Sequence, residues 1–396
     1  MTKIIKNNVK WVGYIDWELK NFHGDDYSID NGSSQNAYLI QEEKNILIDT
    51  VWTPHNQEFI QNLKQEINLK KIDYVIINHG ESDHSGSLET LMELLTPNTP
   101  IYCTANAQKS IEGQYGIKKW NFKIVKTGDK LEIGNGKQIY FLQMPMLHWP
   151  DTMACYLTHD NILFSSDAFG QHLAIAELFN DKANQYLLWK EAIKYFVNII
   201  HPFCPMVLNK INEIKNLHWP IEMIAPSHGA IWRNNPMQII DRYKLWANNF
   251  QQNQITIAYD TMWNGTAKVA QAIVSEIKKQ NNDCVVKVFN ISKADKNDVM
   301  TEVFKSRAIV VGSPTVNNSI LANVAGWLEF LKQLRFKNKK AAVFGCYGWS
   351  GESIKILQNK LKDAGFNVID DYIKPLWKPN SSDINKITNL VKNLLN

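Results

Sequence analysis

Apolar and polar positions change their rhythm once along this 396-residue chain. Over the first 250 or so residues, short apolar runs alternate with polar turns. Val9 to Tyr14, Ala37 to Ile40, Asn45 to Asp49, Tyr74 to Ile77, Ile101 to Thr104 and Gln138 to Gln143 read as strands. Helical spacing interrupts them at Asn56 to Leu63, Leu88 to Leu95 and Leu187 to Ile200. This mixture predicts a layered α+β domain over residues 1–250. Pro236 to Gln252 reads as its closing helix, with Pro near the first turn, and the polar run Asn248 to Asn253 as a boundary. A second domain, 254–396, then alternates regularly. Strands are expected at Gln254 to Tyr259, Cys284 to Asn290, Ala308 to Ser313, Ala341 to Cys346 and Asn367 to Tyr372. Helices such as Ala267 to Lys279 and Ser353 to Ala364 fall between them. Such β-α alternation makes a doubly wound parallel sheet with helices on both faces.

Polar residues that interrupt the first pattern carry the chemistry. The run Tyr74-Val75-Ile76-Ile77 ends in His79-x-Glu81-x-Asp83-His84, so two imidazoles and two carboxylates leave one strand together. Side chains of this kind cannot all enter a core unsatisfied, and a metal satisfies them best. Several carboxylates among the donors suit iron or manganese at least as well as zinc. Three further candidates also follow apolar runs: His148 after Ile139 to Leu142, Asp167 after Ile162 to Ser165, and His228 after Met223 to Pro226. Ligands at the ends of separate strands suit a site at one edge of a β-sandwich. A single His after an apolar run is more often an ordinary satisfied residue, but repetition at the same kind of corner favours a metal.

In the second domain the first strand runs into Thr261-Met262-Trp263-Asn264-Gly265-Thr266, directly before a helix. Small hydroxylated and amide residues at such a turn collect N–H groups around an anion at the positive end of the helix. The run matches neither the triphosphate-binding nor the dinucleotide-binding glycine pattern. Two later strands end in Gly312-Ser313-Pro314-Thr315-Val316-Asn317-Asn318 and in Gly345-Cys346-Tyr347-Gly348-Trp349-Ser350-Gly351. Ligands of open α/β sheets bind at this end of the strands. Trp263, Tyr347 and Trp349 could stack on a flat ring, so a phosphorylated flavin is the natural guest.

Composition narrows the classes. Apolar residues make up 44% and charged residues 21%, with a formal net charge of +4. The charge is mild, and aromatics are not interleaved with basic patches, so nucleic acid is not an expected partner. Arginine occurs only at 233, 242, 307 and 335, which removes bidentate phosphate readout as a theme. Cys103, Cys155, Cys204, Cys284 and Cys346 form no C-x-x-C pair, so no rubredoxin-type iron site or disulfide framework is expected within these residues. No run approaches the length of a membrane span and the start lacks a signal-like core, so a cytoplasmic, membrane-free protein is expected.

The pairing of H-x-E-x-D-H with a carboxy-terminal flavodoxin-like module resembles the flavodiiron proteins, or A-type flavoproteins, over essentially the whole chain. Hydrolytic metallo-β-lactamase relatives carry H-x-H-x-D-H instead. The resemblance implies a metallo-β-lactamase-like αββα sandwich followed by a flavodoxin-like sheet, holding two non-haem irons and FMN. It implies that His79, Glu81 and His148 bind one iron, Asp83, His84 and His228 the other, and that Asp167 bridges them. In some members the residue matching His84 turns away. Leu147 to Met153 and Asp167 to His172 resemble the surroundings of that site, with His172 a pocket residue that could supply protons and the candidate catalytic side chain. His23, His55, His159, His201 and His218 are expected to be structural. The implied activity is reduction of dioxygen to water, or of nitric oxide to nitrous oxide. Electrons would come from an external rubredoxin, a reductase or a reduced deazaflavin, and the assembly would be a head-to-tail homodimer or a tetramer. Two other readings stand beside it: a zinc metallo-hydrolase such as a thioesterase, against which Glu81 and the flavin module speak, and a diiron gas sensor.

Overall fold

The computed structural model describes residues 2–396. The chain divides into two compact units, Met1–Ala247 and Asn248–Asn396.

In the first unit two sheets stack. The larger has seven strands, of which Tyr38–Gln41, Asn45–Ile48, Tyr74–Ile76 and Pro100–Cys103 are consecutive neighbours. The smaller has five: Lys130–Gly134, Lys137–Gln143, Met153–Leu157, Ile162–Ser166 and Met223–Pro226, in that order. Alternation along each strand divides the apolar residues between two cores. Tyr38, Ile40, Ile46, Ile48 and Ile76 meet Phe141, Cys155, Leu157 and Phe164 between the sheets. Leu39, Leu47, Val75 and Ile77 point the other way, against Phe59, Leu63, Leu88, Leu91 and Ile111 of the helices.

The second unit is one parallel sheet. In chain order its strands are Gln252–Tyr259, Val285–Asn290, Ser306–Gly312, Lys340–Phe344 and Asn367–Ile373; in space they stand 2-1-3-4-5. The order in which strands are added reverses between the first and third strands, with all strands still parallel, and this opens a crevice outside their carboxyl ends.

Several expected elements change at their edges. Val9 to Tyr14 is two strands, Val9–Trp11 and Tyr14–Asp16, paired with different partners. Gly13 lies between them, where a Cβ would fall 2.0 Å from the Gln35 carbonyl oxygen. Leu187 to Ile200 is an α-helix only to Tyr195 and continues as a π-helical turn, Phe196–Ile200; such turns insert an extra residue that periodicity does not announce. The closing helix is Met237–Ala247 and stops well before Gln252, which already opens the next strand. No helix of the described residues is long and apolar enough to cross a membrane, and all five cysteines are free.

Candidate functional site

All seven candidate ligands converge at one edge of the double sheet. His79 and Glu81 follow the strand Tyr74–Ile76, and Asp83 and His84 sit on the short helix Ser82–Ser85. His148, Asp167 and His228 come from loops after strands of the smaller sheet. His79, Asp83, His84, Asp167 and His228 are buried.

Their donor atoms form two groups that share Asp167. Its Oδ2 lies 3.6 Å from Nε2 of both His79 and His148. Oε2 of Glu81 completes that group, 3.1 Å from His79 Nε2 and 3.5 Å from His148 Nε2. The other oxygen, Oδ1, lies 3.1 Å from His84 Nε2 and 3.3 Å from His228 Nε2. Oδ2 of Asp83 closes the second group at 3.3 Å from His84 and 3.0 Å from His228. Ligands about 2.1 Å from a common ion stand about 3.0 Å apart at octahedral corners and about 3.4 Å apart at tetrahedral ones. Both groups have such edges, and His84 turns into the second.

Polar saturation points the same way. Asp83 Oδ1, His84 Nε2 and Asp167 Oδ2 are buried without a hydrogen-bond partner, a cost that a bound cation removes. Burial disfavours charge on the rings, yet Asp151 and Glu81 push His79 up to about 10. Against the same burial, Asp167 and Asp83 push His228 up to about 9, and the same two carboxylates hold His84 well above the usual imidazole value. Despite burial, His148, His23 and His79 hold Glu81 well below the carboxylate range, and His84 and His228 do the same for Asp83 and Asp167. Protons on the rings are what a metal displaces.

A ring of partners aims the ligands. Asp151 Oδ1 lies 2.9 Å from His79 Nδ1, and its Oδ2 accepts from the Gly80 N–H at 3.0 Å. A Cβ on Gly80 would fall 2.7 Å from that oxygen, so only glycine admits the aspartate here. His228 Nδ1 faces the Ser34 carbonyl at 2.8 Å. Fixing the second ring nitrogen sets both tautomer and orientation of a ligand histidine.

Two further histidines stand at the cluster. His172 lies beside the cluster, its ring centroid 5.1 Å from that of His228 and its Nδ1 2.8 Å from Ser33 Oγ. Burial, then the charges on His228 and His23, hold its pKa well below the ordinary value. Both influences disfavour a second proton on its ring. His23, expected to be structural, stands over the cluster with Nε2 3.2 Å from Glu81 Oε1. Burial works against its charge, but Glu81 raises its pKa. It sits in the turn of the two-stranded hairpin Asn21–Phe22 and Tyr27–Ser28. No apolar run precedes it, so strand-end reasoning passes over it; the only sign is a His within the polar stretch Asn21 to Asp26. His55, the other expected structural ring with a close carboxylate, pairs with Asp16 at 3.1 Å and stacks on Tyr14.

The second unit holds a cleft of about 340 Å³ at the carboxyl ends of its strands. Thr261, Met262, Trp263, Gly265, Thr266, Pro314, Thr315, Asn317, Asn318, Cys346, Tyr347, Gly348, Trp349 and Ser350 line it, joined by Trp377 and Lys378 from outside the three loops. Asn264, Ser313 and Gly351 do not. Asn264 takes the left-handed conformation (φ +62°) ahead of the helix Gly265–Gln280. Ser313 Oγ is occupied in its own turn, donating to the Pro314 carbonyl and accepting from Leu321 N–H. Gly351 packs on Lys374. The helix start has no side-chain cap, and Thr261 Oγ1 and Thr266 Oγ1 are buried without a hydrogen-bond partner. Uncapped N–H groups and two spare hydroxyls fit a phosphate. A Cβ on Gly265 would lie 2.6 Å from the Trp377 carbonyl oxygen and 3.1 Å from Cys346 Sγ.

A sandwich with a twin carboxylate-bridged donor set, followed by a flavodoxin-type sheet with an anion-ready cleft, defines a two-centre flavin and metal oxidoreductase. Comparison with known proteins agrees. Residues 33–229 match the ODP family beta lactamase model and residues 257–387 the Flavodoxin model. An anaerobic nitric oxide reductase flavorubredoxin of Vibrio vulnificus (strain YJ016) is 51% identical over 379 residues, 96% of this chain and 76% of the relative. One from Klebsiella pneumoniae is 50% identical, covering 96% and 78%. Among solved structures, rubredoxin oxygen:oxidoreductase from Desulfovibrio gigas superposes with a TM-score of 0.96 at 33% identity, covering 100% and 98%. The flavodiiron protein of Giardia intestinalis does so at 0.93 and 29%, covering 100% and 96%. The chain belongs to the flavodiiron proteins, oxidoreductases whose cofactors are FMN and a diiron centre.

Proposed function

We propose that this chain reduces nitric oxide to nitrous oxide, with reduction of dioxygen to water as a second activity of the same site. The two donor groups that share Asp167 carry the reading, because two metal ions side by side could hold two nitric oxide molecules, or the two ends of dioxygen, next to one another. His79, Glu81 and His148 would hold one iron, Asp83, His84 and His228 the other, and Asp167 both. Half-identity to proteins named as nitric oxide reductases favours nitric oxide; likeness to a rubredoxin oxygen:oxidoreductase supports dioxygen.

Bound irons supply Lewis acidity and electrons relayed from FMN. The chain's own residues do the rest. Asp151 and Ser34 orient the ligand imidazoles, and Phe22, Tyr195 and His172 wall the pocket with aromatic surface. Two molecules of nitric oxide take up two electrons and two protons to give nitrous oxide and water. His23, part exposed and paired with Glu81, is the side chain placed to pass those protons. In the second unit Thr261 to Thr266 would hold the FMN phosphate, with Trp349 and Tyr347 beside the ring. A separate one-electron carrier would feed the flavin: a rubredoxin, a reductase or a reduced deazaflavin. A head-to-tail homodimer, or a tetramer built of two such dimers, would bring one chain's flavin to its partner's irons. Trp263, Trp349 and Trp377, 86%, 87% and 61% exposed, offer that partner an aromatic rim.

The test uses the full chain loaded with iron and FMN and supplied with reduced rubredoxin. Consumption of nitric oxide with matching nitrous oxide is expected, and a lower rate with dioxygen. Uptake of zinc in preference to iron, with ester hydrolysis and no gas turnover, would overturn the reading in favour of a hydrolase. Gas binding without turnover would point to a sensor.

A further inference from the structure

We propose that Lys194 and Glu191 are positioning residues that hold His23 against Glu81. The inference rests on the reading of Glu81 as a metal ligand. The two residues lie far from the ligand motifs, on the helix Gln185–Tyr195 just before its π-helical turn. Both are buried, with 1% of either exposed. A buried lysine and a buried glutamate are costly unless each is engaged, and both engage one short segment.

Lys194 Nζ lies 3.1 Å from Ser28 Oγ and 3.6 Å from Asp30 Oδ2. Glu191 Oε1 accepts from Asn31 Nδ2 at 2.9 Å. Lys190, on the same turn of the helix, adds a contact to Asp30 at 3.5 Å. Residues 28–31 thus form the root of a strap, clamped by charged groups spaced to share one helix face. The strap itself has little of its own. Asn21–Phe22 and Tyr27–Ser28 pair over only two registers, and an isolated hairpin of that size is not stable in water. Yet its inner side reaches the metal ligands. Phe22 lies with ring centroids 5.0 Å from His172 and 5.9 Å from His228, and His23 holds Glu81 Oε1 while Glu81 Oε2 faces His79 and His148. A carboxylate with one oxygen occupied by His23 can offer a metal only the other. Loosening the root frees Glu81 to bind through both oxygens.

The test compares Lys194→Met, Glu191→Gln, His23→Gln and the double variant Lys194→Met/His23→Gln in the iron- and FMN-loaded full chain. Mössbauer spectra, turnover and thermal midpoints are read for each. Lys194→Met is expected to alter the signal of one iron as His23→Gln does, to lower turnover roughly tenfold, and to recover both in Lys194→Arg. The double variant should look no different from His23→Gln alone. An unchanged iron signal and turnover in Lys194→Met and Glu191→Gln, with only a lower midpoint, would overturn the proposal by leaving the pair a purely structural role. So would a spectral change that adds to that of His23→Gln. Absence of gas turnover in every protein, with the shared spectral change intact, would sink the functional reading and leave the positioning role standing.

Discussion

The metal cluster and the flavin cleft show two ways of building a site. The cluster is made of side chains: seven ionisable groups, most of them buried, with His79 held from outside by Asp151 and His228 by Ser34. The cleft is made largely of backbone and loop surface, with spare hydroxyls on Thr261 and Thr266 and aromatic side chains standing in solvent. The difference follows from what each binds. A small cation needs several charged atoms within a few ångströms, which is tolerable only if every charge is compensated. A large flat ligand carrying a phosphate can be held by N–H groups, hydroxyls and apolar area. One site therefore fails when a charge is lost, the other when space is lost.

The largest effect is expected from Asp167→Asn. Removing the one carboxylate shared by both donor groups should cost at least roughly 100-fold in turnover and most of the iron, with FMN retained; iron analysis beside the flavin absorbance checks it. Full iron content and full activity in that variant would mean that the two groups do not share a ligand.

Next comes Gly265→Asp, which acts through space and charge. Its side chain would meet the Trp377 carbonyl and Cys346 and set a negative charge where the phosphate is to lie. FMN should be lost on gel filtration while the iron content stays unchanged. Mixing this chain with Asp167→Asn under subunit exchange should restore about a quarter to a half of the activity if flavin and irons work across a dimer. No recovery, with mixed dimers present, would confine electron transfer to one chain.

The smallest effect separates the sites by pH. His79 at about 10 and His228 at about 9 are raised above the usual 6.5. The metal-depleted first unit therefore binds more protons folded than unfolded from about pH 6.5 upward. The stability these rings contribute is fully present below pH 6.5 and is lost as pH rises through 9 to 10. Metal replaces those protons, so metal affinity should rise over the same window while FMN affinity stays flat by comparison. Thermal midpoints and metal titrations at pH 6, 8 and 9.5 test it; metal affinity that falls with pH would reverse the assignment of the charged rings.

Much of this molecule could be read along the chain because its signals are local. A polar side chain that directly follows an apolar strand is placed by that strand, which is why His79, Asp167 and His228 stood out as candidate ligands in short windows, and why β-α alternation announced the second unit. Local periodicity also placed Tyr74–Ile76 and Gln252–Tyr259 to within a residue or two. Other features depend on residues distant in sequence. His23 meets Glu81 from a hairpin whose root the helix Gln185–Tyr195 contacts from more than 150 residues away. Asp151 meets His79 across 72 residues, through a gap that exists because residue 80 is glycine. Burial beside charged rings lowers the pKa of His172, which its place in the sequence does not announce. Periodicity and turn chemistry are properties of neighbours along the chain, and they determine strands, helices and the corners where ligands leave them. Burial, charge compensation and close approach belong to residues that meet only when the sheets stack, so the protonation and aim of each side chain were decided by the tertiary structure.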